Sequence, residues 1–256
     1  PLPAIKAAPW APEAALSTDF SLIKGQYAAK RAAEIAAAGA HNMLLCGPPG
    51  SGKTMIARAL PTILPDLSFE EALEITRIHS AAGLWEKGIV RQRPFVAPHH
   101  SASRAAIVGG GSNAKPGDIS LAHYGVLFLD EMPEFGRDVL ETLRQPLEDG
   151  FVKISRVNAS ATYPARFMLV GAMNLCPCGN FGVPGRECSC SPSKILAYRR
   201  KISGPLLDRM DLFIQTTIVN YDDLQRAARP GESSAAIRQR VNECRALQRE
   251  RFQKDG

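Results

Sequence analysis

Gly47-Pro48-Pro49-Gly50-Ser51-Gly52-Lys53-Thr54 decides the fold of this chain. It matches G-x-x-x-x-G-K-[ST] at every fixed position, the pattern of a loop that cradles phosphate. Glycines there let successive backbone N–H groups turn toward one anion with no Cβ in the way. Lys53 can then reach β- and γ-phosphates, and the Thr54 hydroxyl can hold Mg²⁺. The flanks agree: Asn42-Met43-Leu44-Leu45-Cys46 reads as a short buried strand, and Met55 to Leu60 as a helix opening directly behind the loop. Strand, glycine loop and helix N-terminus together make an anion site. A chance glycine turn, the alternative, leaves Lys-Thr in register unexplained.

A phosphate loop alone is not an ATPase. Val126-Leu127-Phe128-Leu129-Asp130-Glu131 supplies the missing carboxylates. Its unbroken apolar run reads as a strand of a parallel sheet covered by helices on both faces. Such strands deliver functional residues at their carboxyl ends. Asp130 is expected to bind Mg²⁺ through water and Glu131 to activate the attacking water, on the next strand of the sheet after the phosphate-loop strand. A further strand, Phe167 to Met173, ends in Asn174, which reads either as a γ-phosphate or water ligand or as a turn residue. In Gly204-Pro205-Leu206-Leu207-Asp208-Arg209-Met210-Asp211, Arg209 reads as an ion-pair partner of Asp208 or Asp211, or as a finger acting on a neighbouring subunit's nucleotide.

The 256 residues are 45% hydrophobic and 22% charged, ordinary values for a soluble globular protein with one large core or two small ones. No run of eighteen apolar residues indicates a membrane span, and no secretion signal is visible, so a cytoplasmic location is expected. Residues 1–18, rich in proline, read as a linker from a longer protein. Net charge +6 permits a polyanion partner without establishing one. Cys176-Pro177-Cys178 and Cys188-Ser189-Cys190 flank a glycine-rich turn, which suits a four-thiolate Zn²⁺ site or disulfides. The cytoplasmic setting favours the metal.

Strands and helices alternate over residues 19–218, the pattern of an α/β core. The interval from Lys53 to Asp130 is too long for one helix and one strand, so it must hold extra structure. Phe151 to Arg156, followed by Val157 to Tyr163, alternates as a β-hairpin, and its Lys153 and Arg156 are candidates for touching a phosphate backbone. His99 and His100, on an extended segment, should point to opposite faces and cannot easily share one ion. Residues 219–256 turn helical, with Ile237, Val241, Cys244 and Leu247 on one face in need of a partner.

With these elements in place, the chain resembles the AAA+ ATPases, specifically the magnesium-chelatase-like group of the ComM/YifB type. The resemblance runs from about Asp19 to Phe252 and rests on Ala97-Pro98-His99-His100-Ser101, Ile119-Ser120-Leu121-Ala122-His123, Arg144-Gln145-Pro146-Leu147-Glu148, Cys176-Pro177-Cys178-Gly179 and Ile202-Ser203-Gly204-Pro205-Leu206-Leu207-Asp208-Arg209. It implies an AAA+ P-loop core with inserted β-hairpins, a partial helical lid at 219–256, and a homo-oligomer, hexameric at full length. ATP and Mg²⁺ are the implied cofactors. Gly25 and Gln26 would lie near adenine, Lys53 and Thr54 on phosphate and Mg²⁺, and Asp130 and Glu131 in the metal and water-activating roles. Asn174 would sense the γ-phosphate and Arg209 would act in trans. A protease-like domain would precede the core, and a lid arginine would follow it, so this stretch alone is expected to hydrolyse ATP poorly. Three functions stay open: a DNA-remodelling motor with helicase-like branch migration in natural transformation, a chelatase subunit driving Mg²⁺ into protoporphyrin, and a chaperone-like remodeler. The cysteine quartet and basic hairpin favour DNA.

Overall fold

The computed structural model describes residues 18–84, 88–111, 114–156, 159–218 and 231–255. Residues 1–17 of the expected linker and 219–230 of the expected lid lie outside this set, as does the side chain of Arg156. Strands β1 (Met43–Cys46), β2 (Phe95–Val96), β5 (Val126–Leu129), β8 (Met168–Met173) and β9 (Leu212–Gln215) form one sheet. All four pairings are parallel and the order is β2-β5-β8-β1-β9. Two antiparallel hairpins are inserted: β3 (Gly109–Gly110) with β4 (Lys115–Pro116), and β6 (Phe151–Arg156) with β7 (Ala159–Pro164).

The sheet order corrects one expectation. Asp130 follows β5, and β5 is not the neighbour of β1, because β8 lies between them. The strand that ends at Asn174 is therefore central, with the phosphate loop on one flank and the acidic pair on the other. Apolar runs identify buried parallel strands, but they carry no record of which strand pairs with which.

Alternation along each strand builds the two cores. Met43, Leu45, Val126, Phe128, Val170 and Ala172 face one side, where they meet Ala29, Ala33, Ala36 and Ala37 of α1 (Tyr27–Gly39) and Ile56 of α2 (Lys53–Ala59). Small residues let α1 lie close to the sheet. Leu44, Leu127, Leu129 and Leu169 face the other side. There they pack with α4 (Arg104–Val108), α5 (Asp118–Leu121), α6 (Arg137–Thr142), the inner residues Val152 and Ile154 of the β6–β7 hairpin, and α9 (Gly204–Leu207). Each fully buried aliphatic side chain contributes roughly 1.5–3 kcal/mol, so both faces are strongly held.

The long interval before Asp130 holds α3 (Phe69–Ala82), β2, α4, the β3–β4 hairpin and α5. Helix α3 opens on a reciprocal cap: Glu71 N–H donates to Ser68 Oγ while Ser68 N–H donates to the Glu71 carboxylate, 3.1 Å each. Helices α7 (Arg144–Asp149) and α8 (Pro192–Arg199) lie between β5 and β9 in sequence. The last helix, α10 (Ser234–Asp255), buries Ile237 and Val241 in the α1 core. The partner of that face is thus the α/β core itself, while Leu247 and Phe252 further along are exposed.

Candidate functional site

Because β1, β8 and β5 run parallel, their carboxyl ends arrive at one edge of the sheet, where Gly47, Asn174 and Asp130 follow directly. Gly47 N–H donates to Met173 O at 3.1 Å, fastening the start of the loop to β8. Gly50 and Gly52 take φ +75° and +86°, a region that a side chain would resist. Lys53 opens α2 and is only 8% exposed. Its Nζ donates to Gly47 O (2.8 Å), Pro48 O (2.9 Å) and Asn174 Oδ1 (3.2 Å). Burial pulls the Lys53 pKa down, while the nearby Asp130 and Glu131 carboxylates act to raise it. Thr54 Oγ1 donates to Asp130 Oδ2 at 2.9 Å.

The structure thus brings the adjacent pair Lys53 and Thr54 together with Asp130 and Asn174, which lie far away in sequence. An ammonium at the head of the glycine loop stands beside a hydroxyl–carboxylate pair. That donor set fits a polyphosphate with a hard divalent cation held by Thr54 and Asp130.

Glu131 sits at the rim with φ +49°, uncommon for a residue with a Cβ. Its own N–H donates to Asp130 Oδ1 at 3.0 Å, which helps to hold that turn. The carboxylate is 58% exposed, and His100 Nδ1 lies 3.8 Å from it. This corrects the expectation for the two histidines. The strand ends at Val96 and the chain then turns, so strict alternation does not apply. The rings of His99 and His100 lie side by side, 4.1 Å apart, and His100 meets Glu131.

Two clamps on the phosphate loop were not expected. Thr216, fully buried just past β9, bonds Ser51 Oγ at 2.7 Å and crowds Gly47 so closely that a Cβ there would lie 2.1 Å from its hydroxyl. Gln26, in the left-handed region at φ +52°, donates from Nε2 to Ser51 O (2.8 Å) and Thr217 O. Gly25 and Gln26 therefore border the loop. Thr216 and Thr217 directly follow an apolar strand, the only sequence signal that they stand at the same sheet edge.

Arg209 is elsewhere. Its carbonyl accepts from Asn42 Nδ2 at 2.9 Å, at the amino end of β1. The loop lies at the other end, roughly 16 Å away along about five strand residues. Neither Asp208 nor Asp211 is its partner: the guanidinium pairs with Glu148 and donates to Pro205 O at 2.6 Å. Asp211 instead accepts from Asn42 N–H at 2.7 Å. Arg209 thus cannot serve its own chain's phosphate loop.

Cys176, Cys178, Cys188 and Cys190 converge, with all four Sγ atoms within 4.8 Å of one another. All are free thiols, which removes the disulfide alternative from this structure. The loop that carries them begins two residues after Asn174. Lys153 is exposed on a hairpin anchored by Val152 and Ile154. The cationic C-terminal helix is partly neutralised: Arg240 pairs with Glu34 (2.7 Å) and Glu232, and Arg238 lies 3.8 Å from Asp66. No described helix is long and apolar enough to cross a membrane.

The family model described as magnesium chelatase, subunit ChlI, matches residues 19–224. The protein YifB of Escherichia coli (strain K12) is 50% identical over 246 residues, covering 94% of this chain and 47% of YifB. The competence protein ComM of Haemophilus influenzae is 49% identical over 239 residues, covering 91% of this chain and 46% of ComM. The chain thus spans about half the length of these relatives. The magnesium-chelatase 38 kDa subunit of Rhodobacter capsulatus is 28% identical over 173 residues, covering 60% of this chain and 49% of that subunit. Among solved structures, one of the complex between magnesium chelatase subunits BchI and BchD gives a TM-score of 0.57 at 21% identity. It covers 92% of this chain and 74% of that chain.

Proposed function

Because this chain belongs to the magnesium chelatase ChlI family of AAA+ ATPases, and within it to the ComM/YifB type, we propose that it is the motor core of an ATP-driven DNA-remodelling machine. The observation that carries the ATPase part is the meeting of Lys53, Asn174, Thr54 and Asp130 at one sheet edge. Bound Mg²⁺-ATP would supply the phosphoanhydride to be cleaved. Gly47 to Thr54 hold its phosphates, with Gly25 and Gln26 bordering the base. Thr54 and Asp130 hold the cation, Glu131 takes a proton from the attacking water, and Asn174 positions that water or the terminal phosphate. The protein works in the cytoplasm, where its nucleotide is, and Zn²⁺ on the four cysteines is a further cofactor.

Arg209 acts on a neighbour's nucleotide in a homo-oligomeric, hexameric ring, exchanging Glu148 for that site. Its distance from its own phosphate loop supports this role. Mixing Arg209→Ala with Lys53→Ala subunits should restore part of the turnover that each lacks alone, because some interfaces then pair an intact loop with an intact arginine. No recovery in a demonstrably mixed oligomer would leave Arg209 as a structural ion pair.

DNA is favoured over a chelatase partner by the contrast in similarity, 50% identity over 94% of this chain against 28% over 60% of it. The name of the competence relative points the same way. Lys153 and Arg156 on the β6–β7 hairpin grip the phosphate backbone, a contact that reads no sequence and weakens steeply with salt. A Lys153→Ala/Arg156→Ala variant of the full-length protein should keep basal ATP turnover and lose its stimulation by DNA. Full DNA stimulation in that variant would exclude the hairpin as the grip.

A further inference from the structure

All four thiols lie within 4.8 Å of one another, and the three spacings among Cys176, Cys178 and Cys188 are close to those that a shared metal imposes. Cys176 Sγ is 3.4 Å from Cys178 Sγ and 3.7 Å from Cys188 Sγ, and Cys178 Sγ is 3.6 Å from Cys188 Sγ. A disulfide needs about 2.05 Å. A tetrahedron with metal–sulfur bonds of about 2.3 Å has an edge of about 3.8 Å, close to what is seen. Phe181 N–H also donates to Cys176 Sγ at 3.2 Å, an outer-sphere contact that suits a thiolate.

The same loop touches the phosphate site twice. Gly179, at φ +80°, lies so close to Pro49 that a Cβ there would come 2.7 Å from Pro49 Cγ and 3.0 Å from Cδ. On its other side the loop continues from Asn174, whose Oδ1 accepts from Lys53 Nζ. Helix α8 braces the join: Arg199 Nε donates to Leu175 O at 3.3 Å, and its guanidinium lies 5.7 Å from the Phe181 ring centroid. Pro49 has no backbone N–H with which to fasten itself, so a rigid neighbour has a clear use there.

Resting on the zinc assignment above, we infer that the metal-bound loop is a strut for the phosphate loop: one Zn²⁺ on Cys176, Cys178, Cys188 and Cys190 fixes Gly179 against Pro49 and Asn174 against Lys53. Nucleotide affinity then depends on metal occupancy, although the metal never touches the nucleotide. The four cysteines and Gly179 are positioning residues of the ATP site.

Two glycine variants separate contact from backbone strain. Gly179→Ala introduces both a left-handed alanine and a clash with Pro49. Gly185→Ala, in the same loop at φ +73°, introduces the strain alone, since no atom lies within 4 Å of its Cβ position. The full-length protein purified without chelator should carry about one zinc per chain. Titration with a non-hydrolysable ATP analogue should show Gly179→Ala about tenfold weaker than the parent, with zinc retained, and Gly185→Ala unchanged. Stripping zinc from the parent should weaken binding to a similar degree, and Zn²⁺ alone should restore it. Unchanged affinity in Gly179→Ala, or equal losses in both glycine variants, would overturn the strut. Absence of zinc from the parent would overturn the metal assignment, and absence of analogue binding by the parent would overturn the nucleotide site on which both rest.

Discussion

Lys53→Ala is expected to remove measurable nucleotide binding. The ammonium is buried at the start of α2 and held by three acceptors, Gly47 O, Pro48 O and Asn174 Oδ1. Two of these are carbonyls of the phosphate loop itself, so Lys53 shapes the cradle as well as charging it. Its removal leaves those carbonyls facing the incoming phosphates with no cation between them. Truncating one partner of a buried, hydrogen-bonded charge pair costs about 2–5 kcal/mol. At 1.4 kcal/mol per decade that is a loss of at least ~30-fold in affinity. Isothermal titration with Mg²⁺-ATP checks it, and an unchanged dissociation constant would contradict the assignment.

Glu131→Gln should behave in the opposite way, with binding kept and hydrolysis lost. Lys53 and Thr54 hold their places without Glu131, and Asp130 bonds only its backbone N–H, which glutamine retains. The side chain, exposed at the rim, carries no packing whose loss would unfold the chain. What disappears is the carboxylate proposed to accept the proton of the attacking water. General-base contributions run to about 10²–10⁴-fold in rate. Single-turnover hydrolysis measured beside equilibrium binding separates the two effects. A variant with near-parental turnover would mean that another group, such as the adjacent His100, is the base.

Much of this site was legible in the sequence because its parts are local. Phosphate loops are contiguous, and the strand Val126–Leu129 lies where its apolar run predicts. The α10 helix and the β6–β7 hairpin are also readable, from periodicity and alternation. What stayed illegible is whatever depends on pairing across the fold. The insertion of β8 between β1 and β5 leaves no trace in either strand's composition. Nor does sequence reveal Thr216 behind Gly47, or Glu148 taking Arg209 from two nearer aspartates, because such partners are chosen by where helices and strands come to rest. His99 and His100 escape strand alternation for a sharper reason: they lie past the end of their strand, which stops at Val96.

The Asn42 side chain shows how such long-range choices are enforced. Its Oδ1 accepts from Leu169 N–H at 2.8 Å while its Nδ2 donates to Arg209 O at 2.9 Å, so one residue ahead of β1 pins the starts of β8 and β9. This fixes the register that later brings Asn174 to Lys53 at the far edge. A single polar residue at the amino end of the sheet thereby helps to assemble chemistry at the carboxyl end.

If this phosphate site powers work on DNA, ATP turnover by the full-length protein must respond to a branched DNA. The basal rate should be abolished by Glu131→Gln and raised several-fold by branched DNA of any sequence, with the stimulation fading steeply as salt rises. A turnover rate indifferent to DNA at low salt, in protein that binds and hydrolyses ATP, would contradict it.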